Sequence, residues 1–392
     1  MTNAVIVDAV RTPVGRRNGV FKDYHPVDLA SRPLEALVER SGIDPSLIDD
    51  VIMGTVSQTG EQAYNVGRNA ALAAGYPEEV PGVTIDRQCG SSQQSAHFAA
   101  QAIMAGAQDV VIAAGVESMT RVPMGITAHQ GPGLPFGSRM LERYSQGLVP
   151  QGLSAEMIAE KWGIVRHELD GLSLESHRRA SRATAEGRFE EQIIPVGVTG
   201  DDGRMHTVSR DEGIREDTSL EKLGALQPAF KSDGVITAGN SSQISDGAAA
   251  VLVMSEDKAR ILGLKPKARF LAFAMAGVDP VTMLTGPIPA TEKVLERAGL
   301  GIDEIDLFEV NEAFAAVTVA WRMEHGGSDP MALWERTNVN GGAIALGHPL
   351  GASGARLLTT LVWELERTGG RYGLQTMCEG GGMANALIIE RV

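Results

Sequence analysis

Apolar and polar positions along the chain follow two alternating periods. Ala96, Ala99, Ala100, Ile103 and Met104 recur at helical spacing after Cys89, and Leu357, Leu358, Leu361, Val362 and Leu365 do so after His348. Each helical stretch leads into a short apolar run of strand length, Val110-Val-Ile-Ala-Ala in one case and Tyr372-Gly-Leu-Gln-Thr-Met in the other. The opening segment through Asp8 reads as a further short strand. Strands alternating with helices through glycine-rich turns predict α/β units with largely parallel central sheets.

The pattern also repeats itself. Leu37-Val-Glu-Arg-Ser-Gly-Ile43-Asp44 returns as Leu295-Glu-Arg-Ala-Gly-Leu-Gly-Ile302-Asp303, and Ile48-Asp-Asp-Val-Ile-Met is paralleled by Ile305-Asp-Leu-Phe-Glu-Val. Each copy reads as a helix end, a turn and a buried strand. Ile43 and Ile302 lie 259 positions apart, and so do Cys89 and His348. The expectation is two similar halves in which Cys89 and His348 occupy equivalent strand-to-helix turns that face one shared cleft. Between the halves the chain changes character. From Arg121 to Gln151 it is rich in Gly and Pro without a clear period, residues 154–187 read as helices, and Asp201-Asp-Gly203 reads as a hairpin turn, so this part resembles a lid.

Composition narrows the function classes. With 392 residues and 43% hydrophobic content the chain can bury two or three cores, and a net charge of -14 opposes a general attraction to nucleic acid or an anionic membrane. No apolar run approaches the roughly 18 residues that span a bilayer, and neither a basic leader nor a Ser-Lys-Leu ending is present. The two cysteines, 289 positions apart, form no disulfide framework and have no metal-ligand spacing, which points to a reducing cytoplasm. No Gly-x-Gly-x-x-Gly follows a strand in the manner of a dinucleotide site.

Three residues then draw attention as chemistry. A thiol placed just before a helix, as Cys89 is before Gly90 and two serines, has its thiolate favoured by the helix dipole, and an imidazole beside it would lower its pKa further. His348 is the nominee for that imidazole, set between Gly347 and Pro349. Cys378 opens Cys-Glu-Gly-Gly-Gly at a strand end, where unobstructed N–H groups suit an oxyanion hole and a thiol can exchange protons with a carbon acid. Each of the three also has a plainer reading, as a buried thiol or a structural histidine. Glu379 reads as a surface carboxylate.

Taken together, Cys89-Gly-Ser, Gly239-Asn-Ser-Ser-Gln-Ile-Ser-Asp-Gly-Ala-Ala, Asn311-Glu-Ala-Phe-Ala, Gly341-Gly-Ala-Ile-Ala-Leu-Gly-His-Pro and Cys378-Glu-Gly-Gly-Gly resemble the signature segments of the thiolase family, in order and over nearly the whole chain. The resemblance implies a stacked α-β-α-β-α fold with duplicated halves and an inserted loop domain. Residues 1–120, completed by about 241–268, would form the N-terminal half, 121–240 the loop domain over the coenzyme A cleft, and 269–392 the C-terminal half. It implies that Cys89 is acylated, that His348 activates it, and that Cys378 moves the proton at C2 of the acetyl unit. One oxyanion hole would combine His348 with a water held by Asn311, and the other the N–H groups of Cys89 and Gly380. Arg215, Ala238, Ser242 and Phe314 would line the coenzyme A cleft. Acyl-CoA and coenzyme A would be substrates in ping-pong kinetics, with no permanently bound cofactor or metal, in a homodimer or homotetramer.

The Pro150-Gln151 stretch departs from the His-containing loop of biosynthetic acetoacetyl-CoA enzymes, as does the Glu379 to Asn385 ending. Ser241 to Ser245 and Asn338 to Gly342 look more like actinobacterial thiolases that shorten bulky acyl or steroid side chains. Two rivals are a ketoacyl synthase-like enzyme, which the second thiol counts against, and a non-catalytic acyl-CoA or lipid carrier, which Cys89 counts against.

Overall fold

The computed structural model describes residues 2–392 and contains one large mixed sheet. From one edge the strands run Leu307–Val310, Tyr372–Glu379, Met383–Arg391, Ala268–Gly277, Ala4–Arg11, Ser245–Ser255, Val110–Ser118, Asp50–Gly54 and Gly82–Ile85. The first four belong to the C-terminal part of the chain. The join with the remaining five is short, pairing Val5 with Arg269 and Ile6 with Ala268. An isolated parallel bridge from Phe308 to Thr337 stands where Gly82–Ile85 stands in the other half, so the two half-sheets have the same order.

Helices repeat as well. Pro26–Ser41 and Pro287–Ala298 both begin at a proline, carry an arginine in the last turn (Arg40, Arg297) and end at a glycine with φ of 68° (Gly42, Gly299). Proline presets the first turn, and the left-handed C-terminal position is open to glycine without a Cβ clash. Each helix covers an outer sheet face. Leu29, Leu34 and Leu37 pack with Val5, Val51 and Ile112, whereas Val294 and Leu295 pack with Phe308, Ala386 and Ile388.

Two further helices form the middle layer. Ser91–Met104 and Ser353–Thr368 pack between the half-sheets, where Ala96, Ala99, Ile103, Leu358, Leu361 and Val362 meet Val111, Val251, Leu387 and Ile389. Full burial of each large apolar side chain contributes about 1.5–3 kcal/mol. The helices touch backbone to backbone, since a Cβ added at Gly354 would lie 2.2 Å from Gln93 N. Below that contact Gln375 Nε2 donates to Gln93 Oε1 (2.9 Å) and to Gly354 O (2.8 Å). The result is the five-layer α-β-α-β-α stack.

Two expectations need correction. The sheet is not largely parallel, because only three of its ladders are parallel: Leu307–Val310 with Tyr372–Glu379, and Asp50–Gly54 with each of its two neighbours. Tyr372–Glu379 turns back into Met383–Arg391 through residues 380–382, a connection that can join only antiparallel strands. Nor are Cys89 and His348 strictly equivalent. Cys89 lies two residues before its helix and His348 five before its own, and the difference of three is the 3₁₀ turn Leu350–Ala352.

The segment between the halves holds short helices at Ile126–His129 and Ser138–Arg143, then Gln151–Trp162 and Arg166–Ala185. The antiparallel hairpin Val196–Thr199 with Met205–Val208 has Asp201 to Gly203 in its turn, as its sequence predicts.

Candidate active site

Cys89 sits in a tight turn at the start of the middle helix. Gln88 before it has φ of 48°, a left-handed conformation that is costly for a side chain with a Cβ. The turn is fastened locally: Gln88 N donates to Asp86 Oδ1 (2.6 Å), Arg87 N to Ser91 Oγ (2.9 Å), and Ser91 Oγ to Gln88 O (2.6 Å). Cys89 is 4% exposed and packs with Met119, Leu350, Leu357 and Met377. Leu350 lies two residues after His348, and Met377 immediately precedes Cys378.

Three donors lie near enough to the Cys89 sulfur to favour its thiolate: its own N–H, the N–H of Gly380 and the side chain of Gln151. The first two are the pair expected as an oxyanion hole, and they come from opposite halves of the chain. Burial and, after it, the carboxyl of Glu379 outweigh these donors and push the thiol up to about 12. Cys89 therefore rests protonated, contrary to the thiolate expected from the helix dipole, because desolvation of the anion is the larger effect.

His348 is buried behind a backbone that only glycine permits. Gly347 has φ of 98°, and a Cβ there would lie 2.4 Å from Ser245 Oγ. His348 N donates to that same Ser245 Oγ (3.2 Å). Its Nδ1 lies 2.6 Å from Ser353 Oγ, and because that hydroxyl donates to Pro349 O (2.8 Å), it accepts from Nδ1–H. Nε2 is left with its lone pair, facing Asn311 Nδ2 at 3.4 Å. Burial, and after it the Arg356 guanidinium, push the imidazole down to about 3, so it is neutral and a proton acceptor at Nε2.

Cys378 is fully buried on its strand among Phe314 and Ile344, and burial followed by the charges of Cys89 and Glu379 raises it well above the usual thiol range. The two sulfurs are thus within electrostatic reach. Asn311 Oδ1 is buried without a partner among the described residues. The site combines a thiol with a neutral base, two converging N–H groups and a second thiol, a set able to form and resolve an acyl-sulfur intermediate.

The residues proposed for the coenzyme A cleft are arranged more loosely. Arg215 is exposed and lines a cavity of about 310 Å³ with His177, Arg178, Ser181 and Arg182, and its N–H donates to His177 Nδ1 (3.1 Å). This is the local basic surface that an acidic protein needs for an anionic ligand. Ser242 N donates to Ala313 O (3.0 Å), Phe314 meets Phe230 edge-on at 5.9 Å, and Ala238 is exposed nearby in the chain. Gln243 connects the two regions through bonds to Gly213 O (2.9 Å) and Ala345 O (3.1 Å). None of Ala238, Ser242 and Phe314 lines the Arg215 cavity.

Sequence reasoning missed Gln151, Ser353 and Glu379. Ser353 has a visible signal, since it follows His348 by five residues at a helix start. Gln151 has none, because its approach to Gly380 and Cys89 depends on how the inserted segment folds back. Glu379 was expected at the surface, yet it is fully buried and neither carboxylate oxygen has a hydrogen-bond partner among the described residues. Gly90, at the start of the middle helix, packs against its carboxyl, a contact that alternation along a strand does not reveal. Among the described residues no group of three or more His, Cys, Asp and Glu side chains could hold a metal ion, and no helix is long and apolar enough to cross a membrane.

Known proteins share this sequence pattern and fold. The family model described as Thiolase, N-terminal domain, matches residues 4–257, and that described as Thiolase, C-terminal domain, matches residues 264–391. The chain is 51% identical over its full length to the steroid 3-ketoacyl-CoA thiolase FadA6 of Mycobacterium tuberculosis, covering 95% of that protein. It is 46% identical to a 3-ketoacyl-CoA thiolase of Aliivibrio fischeri, with each chain fully covered. A crystal structure of the Bacillus anthracis acetyl-CoA acetyltransferase superposes with a TM-score of 0.91 at 41% identity, over 100% of this chain and 99% of that one.

Proposed function

The chain belongs to the thiolase family, and from that premise we propose that it cleaves 3-ketoacyl-CoA with coenzyme A by way of an acyl-Cys89 intermediate. The observation that carries this reading is the packing of Cys89 with Leu350 and Met377, which stand two residues after His348 and next to Cys378, with the N–H groups of Cys89 and Gly380 favouring its thiolate. Cys89 attacks the 3-keto carbon as its proton passes to His348 Nε2, so no free thiolate accumulates. The two N–H groups hold the resulting oxyanion. The C2–C3 bond then breaks, and its electron pair becomes the thioester enolate. The imidazolium Nε2–H and a water at Asn311 face that enolate oxygen, Cys378 gives its proton to C2, and acetyl-CoA departs. Coenzyme A surrenders its thiol proton to Cys378 and takes the acyl group, and Cys89 recovers its proton from His348. The same steps in reverse condense two acyl-CoA molecules.

Arg215, Ala238, Ser242 and Phe314 are assigned to the coenzyme A cleft, with residues 121–240 as the domain that covers it. The basic cavity around Arg215 and the reach of Gln151 to Cys89 support that assignment. We assign a medium-chain or bulky, steroid-derived acyl group as substrate, supported by the 51% identity to a steroid 3-ketoacyl-CoA thiolase. A homodimer or homotetramer in the cytoplasm, with no nucleic acid or membrane partner, completes the reading.

Mass spectrometry after incubation with acyl-CoA tests the division of labour. Cys89→Ala is expected to form no acyl adduct and Cys378→Ala to form one without turning over, whereas equal acylation of both variants sinks the assignment. Thiolysis measured across 3-ketoacyl-CoA substrates from short-chain to steroid-sized then identifies the acyl group.

A further inference from the structure

Among the described residues, Glu379 is an ionisable side chain that acts on both sulfurs and that these steps leave unused. It is fully buried, both oxygens lack a hydrogen-bond partner among the described residues, and it faces Gly90 so closely that a Cβ there would lie 2.0 Å from Glu379 Oε1. Gly90 follows the nucleophile and Gly380 follows Glu379, so the carboxyl is wedged behind the peptide units that present the sulfur and its N–H donors.

Its surroundings do little to hold a charge. Arg87 and Asp86, from the turn before the helix, act on it in opposite directions. From Met383–Arg391, Asn385 turns its Nδ2 to Gly90 O (3.0 Å) and not to the carboxylate. Gln94 and His97 share the helix face of Gly90 at helical spacing, but they are buried and unpartnered, and His97 is pushed down to about 3, which leaves it neutral. Cys378 precedes Glu379 on its own strand, and a negative Glu379 raises both thiols. Burial pushes the carboxyl up to about 8, so it is uncharged at neutral pH.

Building on the acyl-Cys89 reading, we propose that Glu379 is a positioning residue for Cys89. As an uncharged acid it fills the space behind Gly90 and adds no negative charge behind the reacting sulfur or its oxyanion, and when it ionises it withdraws Cys89 from reaction. Two unit charges a few ångströms apart at the effective dielectric of protein sites shift an ionisation by about tenfold or more. The effect acts through Cys89, and Glu379 itself touches no reacting atom.

The test follows the rate of Cys89 alkylation by iodoacetamide, read peptide by peptide by mass spectrometry, between about pH 6.5 and pH 9.5. In the wild-type protein the logarithm of the rate should climb with pH and bend to a lower slope near the Glu379 ionisation. In Glu379→Gln the bend should vanish, so that the ratio of variant to wild-type rate grows about tenfold across the range. Coincident profiles would overturn the proposal. The carboxyl is also read without changing it, by infrared difference spectroscopy in a Glu309→Gln background, because Glu309 is likewise pushed up to about 8. A protonated carboxyl at about pH 7 that is lost by about pH 9.5 is expected, and its absence at the lower pH would overturn the proposal even if Glu379→Gln fails to fold. Alkylation and infrared bands require no turnover. Failure to form any acyl adduct in the wild-type protein would defeat the thiolase reading separately from the Glu379 result.

Discussion

The two halves share a frame and differ in how they close it. In the N-terminal half, strand Val110–Ser118 meets its antiparallel neighbour Ser245–Ser255 only after residues 119–244, whereas Tyr372–Glu379 reaches Met383–Arg391 through residues 380–382. The long connection contributes Gln151, whose side chain favours the Cys89 thiolate, and the short one contributes the N–H of Gly380, two residues after a thiol. The helix starts diverge in the same way, one carrying Cys89 directly and the other setting His348 back by one 3₁₀ turn. Duplication therefore supplied the position of the site, and unequal loops supplied its chemistry.

The most drastic way to break that comparison is to separate the halves. Gly354→Val places a branched side chain where even a Cβ lies 2.2 Å from the Gln93 backbone, which cannot swing aside as a side chain could. We expect a loss of at least about 1–3 kcal/mol, read as a lower urea midpoint, with poor soluble yield as the extreme outcome. An unchanged midpoint would mean that the halves are not seated on each other at that point.

Removing the unique contribution of the second half comes next. His348→Ala should slow formation of the acyl adduct by about 10²–10⁴-fold, measured under single-turnover conditions, through loss of the base. In the wild-type protein, acylation should also show no falling limb near the usual histidine range as pH drops, since burial and Arg356 hold His348 down at about 3 and neutral above it. A limb near the free imidazole value would contradict the buried setting.

Removing the contribution of the inserted segment should matter less. Gln151→Ala deletes one neutral donor to the Cys89 sulfur, worth about 1 kcal/mol, so acylation should fall by roughly fivefold. No change would show that this segment does not approach the nucleophile in solution.

The dependence of stability on pH completes the comparison. The Glu379 carboxyl is raised from 4.5 to about 8, so the folded protein keeps a proton that the unfolded chain has already released. Folding should therefore weaken as pH rises from about 4.5 towards about 8. In Glu379→Gln that contribution is absent, and its urea midpoint should fall less over the same window. Parallel curves for the two proteins would show that the carboxyl is solvated.

Much of this arrangement was legible in the chain because it depends on period and repetition. The helices after Cys89 and His348, the strands that follow them and the shared ending at Gly42 and Gly299 all follow from local preferences acting twice. Strand direction was not legible from apolar runs, since a buried strand looks alike in parallel and antiparallel neighbours, and the short connection at 380–382 decides it for one pair alone. Cys89, His348 and Cys378 stand out by residue type and setting. Their protonation does not, because it reflects the burial of groups far apart in sequence, such as Arg356 beside His348 and Glu379 beside Cys89. Glu379 was misplaced for the same reason: a lone acidic residue reads as solvent-facing until the chain that covers it is known.

Where Gly354 abuts the backbone at Gln93, each copy serves as the mould for the other. A bulkier residue on one side demands a retreat on the other, so the two copies are not free to drift apart in sequence at that spot. The two similar units are in this way bound into one piece, with a seam at which neither can grow unless the other gives way.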